Sequence, residues 1–263
     1  MEKNSPVESN VSNAPLIELA QVEVASARDQ DVVQLESVDW RVHAGDFWIV
    51  GGARAVGKTD LIATAAALQR PRRGSVRLFG QDISELNETN ILEQRLRIGF
   101  VFKNGGRMLT HLTVAENISL PLRYHNHCDA AQIDERVEKI LAWTGLTPFA
   151  HNTAGMLSAP RQRRVGLARA LALQPRVLFL DEPLADLETR EKNWWLDFLA
   201  QLSGGETMLR QPTLVITTNR WQPWEEHGRQ FALLKNKRWL ALGGRAELKN
   251  NAQALSIESA AED

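Results

Sequence analysis

The chain has 263 residues, 31 Lys+Arg against 32 Asp+Glu, 43% hydrophobic residues and one cysteine. A net charge of −1 excludes a nucleic-acid protein that works by bulk positive charge. The lone Cys128 excludes a disulfide framework and fits a reducing compartment, most simply the cytoplasm. No apolar run approaches the roughly 18–20 residues that span a bilayer, so the expectation is a soluble protein that reaches any membrane through partners.

Residues 1–14 are rich in Asn, Ser and Pro and are expected to form a mobile tail. Leu16–Val24 alternates loosely and Val38, Trp40 and Val42 alternate cleanly, as strands do. Phe47–Val50 is wholly apolar and ends at Gly51-Gly52, the pattern of a buried parallel strand. Leu61–Gln69 is Ala/Leu-rich and helical, closed by Pro71 and Gly74, and Val76–Phe79 and Ile98–Phe102 are short strands. Val114–Tyr124, Ala130–Thr144 and Pro160–Gln174 favour helix, which predicts a helical insertion of roughly residues 105–172. Strands return at Val177–Leu180, Thr213–Thr217, Phe231–Leu234 and Trp239–Leu242, with a helix over Arg190–Leu202. The Ala-rich, acidic residues 249–263 are expected to be a second weakly ordered tail. Strand–helix alternation around a helical insert predicts an α/β fold with a mostly parallel central sheet.

Two motifs carry chemistry. Gly52-Ala53-Arg54-Ala55-Val56-Gly57-Lys58-Thr59 matches G-x-x-x-x-G-K-[ST], between an apolar strand and a helix as that loop requires. Backbone N–H groups and the helix N-terminus would surround phosphates, Lys58 would reach the β/γ-phosphates, and the Thr59 hydroxyl would sit on Mg²⁺. The second motif is the strand end at Asp181-Glu182. There Asp181 would orient Mg²⁺ and Glu182 would polarise the attacking water.

With both motifs placed, the chain resembles the ATP-binding cassette (ABC) transporter ATPases from about Leu16 to Leu248. Arg97–Phe102 followed by His111–Asn117 looks like the family's Q-loop and the start of its helical subdomain. Leu157–Val165 followed by Leu167–Leu171 looks like the signature segment, and Asp181-Glu182-Pro183 with Ala185–Glu188 like the Walker B and D-loop block. Thr217-Thr218-Asn219 falls where the family has its switch histidine. The resemblance implies a P-loop cassette over residues 15–248, with a mostly parallel central sheet, an antiparallel β subdomain and a helical subdomain. It implies ATP and Mg²⁺ as ligands, a second cassette and an integral membrane permease as partners, and a place on the cytoplasmic face of the inner membrane. The implied nucleotide contacts are Gly52, Ala53, Arg54, Ala55, Val56, Gly57, Lys58, Thr59, Asp60, Lys103, Ser158 and Asn219. Thr59 and Asp181 are the implied metal residues, and Glu182 and Lys58 the catalytic ones. Leu120–His125 is similar to lipid-trafficking ATPases served by MCE proteins, which suggests a lipid-type substrate.

The sequence also departs from the family. The adenine-stacking aromatic falls near Ser26, and losing a stacking platform should weaken base selectivity. Lys103 stands in place of the Q-loop glutamine; an ammonium cannot ligate a cation, so it either contacts the γ-phosphate or swings into solvent. Ala159-Pro160 replaces the signature Gly-Gly, and Pro160 has no N–H to give a phosphate. Asn219 replaces a histidine and cannot carry charge. Asp60 suits a helix N-terminus but repels phosphate, with Arg54 near to offset it. Slow hydrolysis is expected.

Three readings of function are open at this level. The first is an ATPase subunit that energises a separate permease. The second is a cassette that binds nucleotide, barely hydrolyses it, and serves a heterodimer structurally. The third is a soluble process such as DNA repair, which usually needs paired cassettes or coiled-coil inserts absent here. Trp194-Trp195 and Trp221/Trp224 suit core packing better than a docking face. His125, His127 and Cys128 suit a surface turn better than a metal site, for want of a second ligand pair. Arg161, Arg163 and Arg164 are expected to face either phosphate or solvent.

Overall fold

The structure, a computed structural model, describes residues 14–106, 108–125, 129–205 and 211–250. The two expected tails therefore lie outside the described residues, apart from their inner ends at 14 and 249–250, as do His127 and Cys128.

Two antiparallel strands open the described residues, β1 (Ile17–Ala25) and β2 (Val33–Val42), followed by β3 (Phe47–Gly52) and α1 (Lys58–Ala65). α1 begins three residues before the expected Leu61, because Gly57 caps it in the left-handed region (φ 89). It ends four residues before Gln69, where Ala67 turns left-handed (φ 53). β4 (Arg73–Leu78), the two-residue β5 (Gln81–Asp82), α2 (Glu88–Arg95) and β6 (Ile98–Val101) follow. α2 is absent from the sequence expectation because its only buried residue is Ile91, so it has almost no apolar stripe to detect.

Among the described residues three α-helices then separate β6 from β7 (Val177–Asp181): α3 (Val114–Tyr124), α4 (Ala130–Trp143) and α5 (Ala159–Leu171). They surround their own apolar cluster, including Val114, Ile118, Leu122, Val137, Ile140 and Val165. α3 starts with a capping box in which Thr113 and Glu116 bond each other's backbone N–H groups. The described residues end with α6 (Thr189–Gly204), β8 (Thr213–Thr218), β9 (Gln230–Lys235), β10 (Arg238–Gly243) and α7 (Arg245–Asn250).

Among the described residues the strands form one sheet ordered β5-β4-β1-β2-β10-β9-β3-β8-β7-β6. The stretch β9-β3-β8-β7-β6 is parallel throughout, and the flank β5-β4-β1-β2 is antiparallel. The central strands bury both faces, as their unbroken apolar runs require. In β7, Val177 and Phe179 join α1 and the antiparallel flank, whereas Leu178 and Leu180 join α5 and α6. Parallel strands place their C-terminal ends at one edge of the sheet, so Gly52, Asp181 and Thr218 emerge together there.

One buried polar residue organises the entry to the helical group. Asn117 is fully buried, and its Nδ2 donates to the carbonyls of Leu109 (3.0 Å) and Thr113 (3.0 Å) while its Oδ1 accepts from the Leu109 N–H (3.3 Å). Asn117→Ala removes the acceptor of the Leu109 N–H, while the Leu109 and Thr113 carbonyls keep the Leu112 and residue-117 N–H groups, at a cost of about 1–3 kcal/mol. A lower urea midpoint with an unchanged slope is the expected measurement.

Candidate nucleotide site

The site is built where β3, β7 and β8 end. Gly52 tolerates no side chain, since a Cβ there would lie 2.8 Å from Val56 and 2.9 Å from the Leu234 carbonyl. The loop therefore wraps tightly into α1. Lys58, 5% exposed, folds back into this loop and donates to the carbonyls of Gly52 and Ala53, each at 2.7 Å. Its Nζ also lies 3.1 Å from Glu182 Oε1.

Asp181 is buried, and two hydroxyls donate to it: Thr59 Oγ1 to Oδ2 at 2.7 Å and Thr217 Oγ1 to Oδ1 at 2.6 Å. Thr217 in turn accepts from the Glu182 N–H at 3.0 Å, and its carbonyl accepts from the same group at 3.2 Å. Glu182 adopts a left-handed backbone (φ 44), a conformation that such paired contacts must hold in place. Thr217 thus fixes both acids. The sequence singled it out only as a neighbour of Asn219; its role follows from the register Asp181↔Thr217, which a sequence does not print.

Lys103 points into the site. Its Nζ lies 3.4 Å from Glu182 Oε2 and 3.4 Å from Asp186 Oδ2, so the solvent-facing alternative is set aside. Asn219 lines a cavity of about 380 Å³ together with Arg54, Lys103, Glu182, Asp186 and Arg220. A second cavity of about 400 Å³ adjoins the other side of Lys58 and is lined by Ser26, Ala27, Arg28, Gln34, Thr59 and Asp60. Among the described residues no aromatic ring lines this second cavity. Asp60 does not face outward as a bare charge: its Oδ1 accepts from the Ala27 N–H at 2.8 Å and ties the two walls together.

Ser158 lies elsewhere. It is the exposed N-cap of α5 and lines neither cavity. Of the arginines that follow it, Arg161 is exposed to solvent, as one of the two expected alternatives has it, whereas Arg163 and Arg164 are engaged by protein groups. Arg163 is buried and its Nη1 donates to the carbonyls of Pro183 (3.0 Å) and Ala185 (2.7 Å). Burial pushes its guanidinium below the ordinary arginine value, while Asp186 pulls the other way. Arg164 pairs with Glu191 at 2.6 Å and lies over the Trp194 ring at 3.7 Å, and Arg161 lies over Phe149 at 4.5 Å. Trp195, Trp221 and Trp224 are buried, as core packing requires.

The Thr59 hydroxyl and the Asp181 carboxylate that meet here are hard oxygen ligands, which suit Mg²⁺. A family model described as ABC transporter matches residues 35–185, more than half of the chain. The chain belongs to the ABC transporter family. Among relatives of this cassette, the methionine import ATP-binding protein MetN of Lacticaseibacillus paracasei is 29% identical over 244 residues, which cover 92% of the cassette and 68% of the relative. The probable sulfate/thiosulfate import ATP-binding protein CysA of Chlorella vulgaris is 30% identical over 230 residues, 88% of the cassette and 93% of the relative. Against the MetN of Mannheimia succiniciproducens the cassette spans about half of the relative's length (48%), at 36% identity over 169 residues. The solved dimer of the ATP-binding cassette MJ0796 bound to ADP and Pi superposes with a TM-score of 0.76 at 24% identity, covering 87% of this chain and 99% of that one. That likeness supports the fold of an ABC cassette, a family of ATPases. The named importers carry methionine and sulfate or thiosulfate, and they lend no support to the lipid expectation.

Proposed function

We propose that this chain binds and hydrolyses ATP and thereby drives a separate membrane permease, working as an importer subunit. What carries the reading is the convergence of Lys58, Thr59, Asp181 and Glu182 through contacts of 2.6–3.1 Å, with Thr217 tying the two acids together. Phosphates entering over residues 52–59 would meet the loop N–H groups and the α1 N-terminus, and Lys58 would leave the Gly52 and Ala53 carbonyls for the β/γ-phosphates. Thr59 and Asp181 would hold Mg²⁺, which neutralises charge on the phosphates when bound. Glu182 would accept the proton of a water whose oxygen attacks the γ-phosphorus; the bond from that phosphorus to the β–γ bridging oxygen breaks, and ADP and phosphate leave.

A second cassette would supply Ser158 and the α5 N-terminus across the site, because neither lies near Lys58 in the same chain. The permease would dock where α3 and α5 meet the end of β6. An open groove there is lined by Phe100, Leu120, Tyr124 and Leu173, and Tyr124 is 77% exposed. Among the described residues no helix is long and apolar enough to cross a membrane, so association with the inner membrane would run through that groove. The lipid reading rests on Leu120–His125 alone; a small solute carried inward is the class that the methionine and sulfate relatives favour. The pairing of Glu182 with Lys103 favours one alternative, a cassette that binds nucleotide and hydrolyses it poorly beside an active partner. ATP binding to the purified chain tests the core of the reading. Lys58→Ala removes a charge-assisted contact of about 1.5–3 kcal/mol and should weaken ATP affinity about 10- to 100-fold. Equal affinity in calorimetric titrations overturns the assignment of the loop.

A further inference from the structure

Each carboxylate oxygen of Glu182 faces an ammonium. Lys58 faces Oε1 at 3.1 Å and Lys103 faces Oε2 at 3.4 Å, and the Glu182 side chain is only 12% exposed. Lys103 also reaches Asp186 Oδ2 at 3.4 Å, four residues further along the same loop. We infer that Lys103 is a positioning residue that latches Glu182 to Asp186 in the nucleotide-free site and restrains the carboxylate from engaging water. The inference rests on the reading of Glu182 as the group that accepts the proton.

The two lysines differ in what a nucleotide does to them. Lys58 shares its protons with two loop carbonyls that phosphate oxygens can replace, so entering phosphate draws it off Glu182. Lys103 has a second carboxylate to hold it in place, and an ammonium with three donors can serve both at once. Each oxygen keeps a second lone pair for a water, but an ammonium beside it holds part of the charge that would polarise that water, and the Lys103 side is the one that nucleotide entry alone does not vacate. A neutral amide at 103 would make no charge pair with either acid.

The latch is wired into the helical group. Asp186 sits in a left-handed conformation (φ 57) within a loop whose Pro183 and Ala185 carbonyls accept from Arg163 on α5. Two residues beyond Lys103, Gly105 lies so close to α5 that a Cβ would fall 3.0 Å from Arg163 Cα, and a Cβ on Gly166 would fall 2.4 Å from the Gly105 carbonyl. Lys103, the loop after β7 and α5 are therefore one packed junction, and release of the lysine frees the carboxylate and loosens that loop together.

The test compares Lys103→Gln and Lys103→Arg by two readouts, amide hydrogen exchange of the nucleotide-free protein and steady-state ATP hydrolysis. Lys103→Gln should speed exchange across residues 182–188 by about three- to tenfold, the scale of partly exposed charge pairs. It should raise kcat by about the same factor with KM changed less than about twofold, while Lys103→Arg keeps both near the parent values. Unchanged exchange in Lys103→Gln overturns the latch. A lower kcat with a higher KM overturns it too, since that split marks a residue that binds phosphate in both ground and transition states. If exchange speeds up but Glu182→Gln hydrolyses at the parent rate, the proton-accepting role of Glu182 fails and the restraint on catalysis fails with it. The holding contact is then read from exchange alone.

Discussion

Glu182→Gln lowers ATP turnover by about 100-fold or more while leaving ATP affinity within about threefold or tighter. The substitution keeps the shape of the side chain and the N–H bonds from Glu182 to Thr217 that set its backbone, because those use the main chain. What disappears is the group able to take a proton from water. Binding should not suffer, because the carboxylate sits beside the phosphate-binding lysine and not beside a cation that the nucleotide brings. Lys58 and Lys103 lose a counter-charge and become more available to phosphate. Single-turnover and steady-state phosphate release measured beside equilibrium ATP binding separate the two effects. Equal turnover well above background in parent and variant removes Glu182 from the reaction. Turnover at background in both, with ATP bound, assigns the chain to the poorly hydrolysing alternative.

The parts of the site that are contiguous in sequence were the legible ones. A loop of eight residues and a strand ending in Asp181-Glu182 announce themselves because phosphate binding and metal orientation demand fixed residue types at fixed spacing. The parallel core was legible for a similar reason: strands buried on both faces read as unbroken apolar runs such as Phe47–Val50 and Val177–Leu180. Thr217 as the tie between both acids was not legible, since it depends on which strand lies beside β7 and in what register. The inward turn of Lys103 was equally hidden; it needs Asp186, 83 residues away, to be brought beside it. Asp60 was read as a charge facing phosphate, yet its partner is the Ala27 N–H in the segment just after β1. α2 escaped because a helix with one buried residue has no periodic signal to offer.

Gly51→Ala, one methyl group outside the phosphate loop, should cost about 3–4 kcal/mol of stability and lower the melting temperature by roughly 10 °C. Gly51 needs no left-handed backbone, so the effect is one of space. A Cβ there would lie 1.9 Å from Trp221 Cζ2 and 2.2 Å from its Cε2. The indole has no easy retreat: it is 2% exposed and packs against Phe231 with ring centroids 6.0 Å apart. Gly51 pairs with Thr218 on one side and Leu233 on the other, so β3 cannot shift without breaking two parallel ladders. Displacing Trp221 instead moves the chain around Asn219 and Arg220, which line the cavity beside Glu182. A weaker ATP affinity should therefore accompany the lower melting temperature. The decisive measurement is a double-mutant cycle with Trp221→Leu, in which Gly51→Ala should cost less than about 1 kcal/mol once the indole is gone. Additive costs would place the strain somewhere other than the contact between β3 and the indole.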